Sequence, residues 1–167
     1  MKRLTSLQAI LIGGAIGGLG DIVFAIGMAI ARGDTAVHLL QIVASGALGQ
    51  AAFDGGMRTA ALGLALHFLL SFGWAALFVL AARALPALLR WPLVSAIVYG
   101  VLVLLAMRLV VLPLSAFPFP SALTPSWPLL LDLLSHMFLF ALPIVLAARR
   151  MQPAQRPPAG ASLESRG

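Results

Sequence analysis

The chain has 167 residues, 61% hydrophobic and only 10% charged, with a net charge of +6 and a mean hydropathy of +1.03. A soluble domain carries nearer a quarter charged residues, so a single membrane domain is expected. The basic residues sit at the ends of apolar runs, a topology signal rather than a nucleic-acid footprint. The absence of Cys excludes disulfides, thiolate metal sites, iron–sulfur clusters and Cys-attached haem.

Lys2 and Arg3 precede Leu7 to Ile30, a run of 24 residues interrupted only by Asp21. The run is too long and too rich in Gly for the core of a signal peptide, despite the cleavage-like Ala29-Ile30-Ala31. Gly13, Gly14, Gly17 and Gly18 form two overlapping GxxxG patterns, which let another helix backbone approach closely. Val37 to Phe53 is apolar but dotted with Gln41, Ser45, Gly46, Gly49 and Gln50, and Asp54-Gly55-Gly56 ends it. Ala60 to Ala82 has one ionisable residue, His67, and is long enough to cross a bilayer. Pro86 and Trp91-Pro92 mark a short turn. Leu93 to Leu112, containing Arg108, is the next crossing, with Pro113 expected to stop it. The uncharged, Pro-rich segment 113–128 reads as a loop. Leu129 to Ala148 is the last crossing, with a kink expected at Pro143. Residues 149–167 read as a disordered cytoplasmic tail.

Charge decides how residues 37–53 are treated. If they do not cross, Lys2, Arg3, Arg83, Arg90, Arg149, Arg150, Arg156 and Arg166 share one side and Arg32 and Arg58 the other. If they cross, Lys2, Arg3 and Arg58 face the remaining seven, which fits the cytoplasmic bias of Lys and Arg far less well. The expected fold is therefore an all-α membrane protein within residues 1–148. It is a bundle of four transmembrane helices (7–30, 60–82, 93–112 and 129–148) plus a short re-entrant or interfacial helix at 37–53. Both termini are expected in the cytoplasm of a bacterium, the bundle in its inner membrane.

Ionisable groups inside a membrane are costly and are functional candidates by default. The chain places five there: Asp21, His67, Arg108, Asp132 and His136. Counted from the outer ends of their helices, they lie roughly 13, 10, 6, 4 and 10 Å deep, all in the outer half. Asp132 and His136 are four apart, on one helix face, where the carboxylate can accept from the imidazole and fix its tautomer. The bland alternative is that these groups pair and glue the bundle. Arg108 is also shallow enough to snorkel to the surface. His67 and His136, at equal depth on two helices, are the pair that a metal ion or b-type haem would need. Ser45 is a weak candidate for an intramembrane protease nucleophile, because Val43 spoils the surrounding pattern.

From His67 to His136 the chain resembles the YagU-like family of small bacterial inner-membrane proteins. The features that carry the resemblance are His67, Pro86, Trp91, Pro113-Leu114, Trp127 and the Asp132/His136 pair. Arg108 stands where the family pattern has a His five before the Pro-Leu. The resemblance implies a membrane location and a His67/Asp132/His136 set; it implies no substrate. The favoured function is non-enzymatic: an outward-side polar site that binds a small ligand or responds to protons, with no resident cofactor. One rival is a haem- or metal-binding redox protein using His67 and His136. Another is a structural subunit packed through its GxxxG faces on a second copy or another membrane protein. The expected surroundings are lipid, not nucleic acid.

Overall fold

The computed structural model describes residues 3–120 and 123–151. Of the tail expected to be disordered, 149–167, Arg149 ends the last helix and Met151 pairs with Leu4, while residues from 152 onward lie outside the described residues. Among the described residues, five helices are each long and apolar enough to cross a membrane. They are α1 (Ser6–Ala31), α2 (Ala36–Leu48, continued by a 3-10 stretch Gly49–Asp54), α3 (Gly56–Ala84), α4 (Pro92–Leu114) and α5 (Trp127–Arg149). No β-strand occurs among the described residues.

Helices α1, α3, α4 and α5 run alternately up and down. Arg83 reaches Ser6 while His67 reaches Gly18, so α1 and α3 are antiparallel. Tyr99 donates to the Trp74 carbonyl, and Arg108 meets Asp132, which sets α4 antiparallel to both α3 and α5. The two chain ends meet: Leu4 N–H donates to the Arg150 carbonyl at 2.7 Å. This terminal end of the bundle is dry and closely packed. Ala9, Phe78, Val79, Ala96, Ile144 and Val145 are almost fully buried there.

Six of the seven buried residues of α1 are Gly or Ala. On α1, Gly13, Gly14, Gly17 and Gly18 face inward while Leu7, Leu11, Ile16 and Val23 face outward. That inversion fits lipid, where apolar burial between helices gains little and close van der Waals packing decides association. Gly13 and Gly17 pack on α5, against Ile144 and Phe140. Gly14 and Gly18 pack on α3, against Phe72 and Ser71. Gly63, a natural candidate to face these glycines, instead lies under the Leu40 carbonyl of α2.

At the distal end, α2 is inserted between α1 and α3. Gly49, at φ +59°, reverses the chain after α2. The ring of Phe53 then lies 5.4 Å from that of His38, and Gln41 donates to the Gly56 carbonyl and Thr59 hydroxyl. Residues 36–54 thus start and finish near the same end of the bundle. The turn before α2 is held by Asp34, whose carboxylate accepts from His38 Nδ1 at 2.8 Å and from Thr35 N–H at 2.7 Å. The hydrogen bond from His38, then that from Thr35, holds the Asp34 carboxyl below its ordinary value of 3.8.

Proline does not end the helices where the sequence suggests. The third run continues through Pro113 to Leu114, and Pro143 lies within α5. Each Pro instead follows a π-helical stretch, Met107–Val111 in α4 and Ser135–Ala141 in α5. A proline lacks the N–H for residue i−4 and its ring crowds that carbonyl; widening the preceding turn relieves both.

Two outcomes follow. Gly63→Ala pushes a methyl into the α2 backbone and should destabilise the protein by about 1–3 kcal/mol. Gly27→Ala, with open space around it, should not. Reversible unfolding in bicelles measures both. The Asp34 hydrogen bonds, present above the carboxyl's ordinary value, should be lost as pH falls below it through the depressed folded value. Amide exchange at His38 should then rise in acid while exchange in mid-α1 does not.

Candidate functional site

Three close backbone approaches place the ionisable groups. A Cβ at Gly17 would stand 2.5 Å from the Phe140 carbonyl oxygen, and one at Gly20 3.0 Å from that of Leu139. Leu139 is the residue whose carbonyl Pro143 cannot serve, so the π turn of α5 presses its backbone onto the glycine face of α1. On the other side, a Cβ at Gly100 would stand 2.6 Å from the Met137 Cα. With α1 and α4 both held against α5, Asp21, Arg108 and the Asp132–His136 turn meet in one layer.

Within that layer the contacts form a chain. Arg108 Nη2 donates to Asp132 Oδ2 at 2.8 Å. The other oxygen of Asp132 lies 3.3 Å from His136 Nδ1, which also donates to the Asp132 backbone carbonyl at 2.9 Å. Asp21 Oδ1 lies 3.9 Å from the same nitrogen and accepts from the Ser135 hydroxyl at 2.9 Å. Every neighbour of His136 Nδ1 is an acceptor, so that nitrogen carries a hydrogen in either charge state of the ring. Arg108 is part-exposed and held in this ion pair.

His67 is placed differently. Its Nε2 donates to the Gly18 carbonyl at 2.8 Å, a reach made possible by the close approach of α1 and α3 at Gly18. It does not bond to Asp132 or His136. It joins His136 and Asp21 only as a wall of one small cavity, of about 90 Å³, together with Ser71, Trp74 and Val43. His67 and His136 thus share a cavity that Asp132 does not line. Asp132 lines two neighbouring cavities of about 420 and 280 Å³, and Asp21 is the residue common to all three. Among the described residues, no group of three or more His, Cys, Asp or Glu is arranged to hold a metal ion. Ser45 donates to the Ile42 carbonyl of its own helix at 2.7 Å.

The polar cavity of about 420 Å³ opens at the distal end. Asp21, Phe24, Ala25, Met28 and Arg32 line it from α1, Leu39 from α2, Arg108 from α4, and Thr124, Ser126, Pro128, Leu129 and Asp132 from the loop and α5. Sequence reasoning missed Ser135, Gly20, Gly100 and Arg32. Gly100 carried a signal, a small residue about two turns before Arg108 on its helix. Ser135 carried none. No family model, no curated protein and no solved structure matches the chain.

The hydrogen positions are directly testable. ¹⁵N NMR of labelled histidine should find the neutral ring of His67 protonated at Nε2 and the ring of His136 protonated at Nδ1. The opposite tautomer at either site would mean that the hydrogen bonds above do not form in the membrane.

Proposed function

We propose that the chain is a bacterial inner-membrane protein of four crossings, α1, α3, α4 and α5. Its distal ionisable network is a proton-responsive site facing outward. In this reading α2 and the following 3-10 stretch form a re-entrant element on the outer side, and both termini are cytoplasmic. The basic residues support that orientation. Arg3, Arg83, Arg90, Arg149 and Arg150 gather at the terminal end, against Arg32 and Arg58 at the other. The resemblance to the YagU-like family agrees with the location.

One observation carries the function: His136 Nδ1 lies between the carboxylates of Asp21 and Asp132, while a single guanidinium, that of Arg108, faces the pair. With neutral His136 the four groups hold one excess negative charge. With protonated His136 they balance. An unbalanced charge inside a bilayer is expensive, so the proton decides how firmly α1, which bears Asp21, is held to α5. Loss of the proton weakens the tie beside the distal cavity, and the outer ends of α1 and α5 separate.

Two experiments test the proposal. Reporter fusions after Gly167 and within residues 113–128 should report cytoplasm and periplasm respectively; an outside C-terminus would make α2 a fifth crossing. In nanodiscs, the ¹⁵N signals of His136 should convert between charged and neutral forms as the pH is varied. The chain has no native Cys, so a spin-label pair at Ala31→Cys and Thr124→Cys is clean. The labelled distance should lengthen as His136 loses its proton. A constant distance across that conversion would leave the network a passive tie.

A further inference from the structure

We infer that the distal cavity binds a zwitterion, with the ligand's ammonium group and the His136 proton replacing one another. This rests on the proton-responsive reading above and names the ligand class of that same site. The cavity, about 420 Å³, is of the size that holds small molecules. Two of its four charges cancel locally, because Arg108 and Asp132 form an ion pair at 2.8 Å. What remains is Arg32, exposed at the mouth, and Asp21 at the base. These two are eleven positions apart on α1, about three helical turns, and so share one side of the helix about 16 Å apart along its axis. Between them the α1 and α2 walls are Phe24, Ala25, Met28 and Leu39. A positive rim, an apolar waist and a negative base complement a molecule with an anionic group at one end and an ammonium at the other. A ligand with a single charge would answer only one of these two wall charges.

The coupling to the proton follows from the groups around His136. Asp21 faces it from α1, Asp132 from the preceding turn of α5, and Arg108 reaches Asp132 from α4. His67 of α3 shares its small cavity, and α2 contributes only Val43. Two carboxylates against one guanidinium lack one positive charge. Either the His136 proton or an ammonium beside Asp21 supplies it, and both together overshoot. Binding therefore releases the proton, and by reciprocity protonation expels the ligand. The same head chemistry is offered by a free small zwitterion and by an ethanolamine-phosphate lipid headgroup.

The test uses the full chain with ¹⁵N-labelled histidine, in nanodiscs of phosphatidylcholine and phosphatidylglycerol. The probes are O-phosphoethanolamine, γ-aminobutyrate, a short-chain phosphatidylethanolamine, and the one-charge fragments ethanolamine and inorganic phosphate. At least one zwitterionic probe should bind, with the fragments about tenfold weaker or more. Its binding should shift His136 from the charged to the neutral ¹⁵N pattern. Arg32→Gln, a change at an exposed helix end, should weaken that probe about tenfold and leave ethanolamine unaffected. Asp21→Asn should abolish the response of His136. Binding by the short-chain lipid alone identifies a lipid headgroup as occupant; binding by a free zwitterion identifies a soluble one. Three results overturn the inference: no zwitterion binds, the fragments bind as well as the zwitterions, or His136 ignores the bound probe. A His136 that converts with pH yet ignores every probe refutes the ligand class and leaves the proton response standing. A His136 that never changes its charge refutes the proton response itself.

Discussion

The distal half of the molecule depends on how closely three backbones approach. Gly17 and Gly20 of α1 take the Phe140 and Leu139 carbonyls of α5, and Gly100 of α4 takes the Met137 backbone. A Cβ at Gly17 or Gly100 would force a backbone to shift, and one at Gly20 would crowd the Leu139 carbonyl. The Asp21–Ser135 bond, at 2.9 Å, and the Arg108–Asp132 pair, at 2.8 Å, form across this close spacing. The α5 side of this fit comes from proline. Pro143 leaves Leu139 without its helical donor, the turn widens, and the displaced carbonyl meets the one helix face with room for it. The π turns of α4 and α5 bear Arg108 and His136, so the backbone irregularity and the charged side chains share one origin.

The bundle is divided along its length. The terminal half is a packed core of Ala, Val, Ile and Phe. The distal half holds the ionisable groups and the polar cavities beside them. Lipid would penalise this second half heavily if its groups stood alone, and pairing reduces that penalty. The insertion of α2 serves the same end. It covers α3 where Gly63 allows backbone contact and supplies Val43 as a wall of the cavity shared by His67 and His136. Its own polar residues are satisfied locally, with Gln41 on Gly56 and Thr59, and Ser45 on Ile42. An apolar cover with satisfied backbone is what a segment inside a bilayer requires.

Helical content and the positions of the long helices were legible in the sequence, because length and apolarity are enough to recognise a helix able to span a membrane. Their ends were less so. The second long run begins at Gly56 rather than Ala60, because Met57, Arg58 and Thr59 continue the helix once Gly56 has turned the chain. Pro113 reads as a stop, yet a π turn absorbs it. The polar layer was legible as a layer, since depth follows from counting residues. Its internal wiring was not. Depth places His67 level with His136 but says nothing of azimuth, and His67 turns out to bond the α1 backbone at Gly18. Equally, depth gives Asp21 no special standing, although it lines all three polar cavities.

The central position of Asp21 has a physical cause. Asp132 is committed on both oxygens, one to Arg108 and one to His136 of its own helix, so it mainly orients the α5 turn. Asp21 comes from a different helix, lies at the longer distance of 3.9 Å from His136, and holds α5 otherwise only through the neutral hydroxyl of Ser135. Of the two carboxylates it is the more loosely bound, and it is the one whose movement would carry a helix with it. In the proposed reading, a charge change at His136 acts least on the tight pair and most on the α1–α5 contact, which also lines the cavity beneath Arg32. Proton, helix contact and cavity would then be linked through Asp21, one of the five ionisable residues that the sequence puts in this layer.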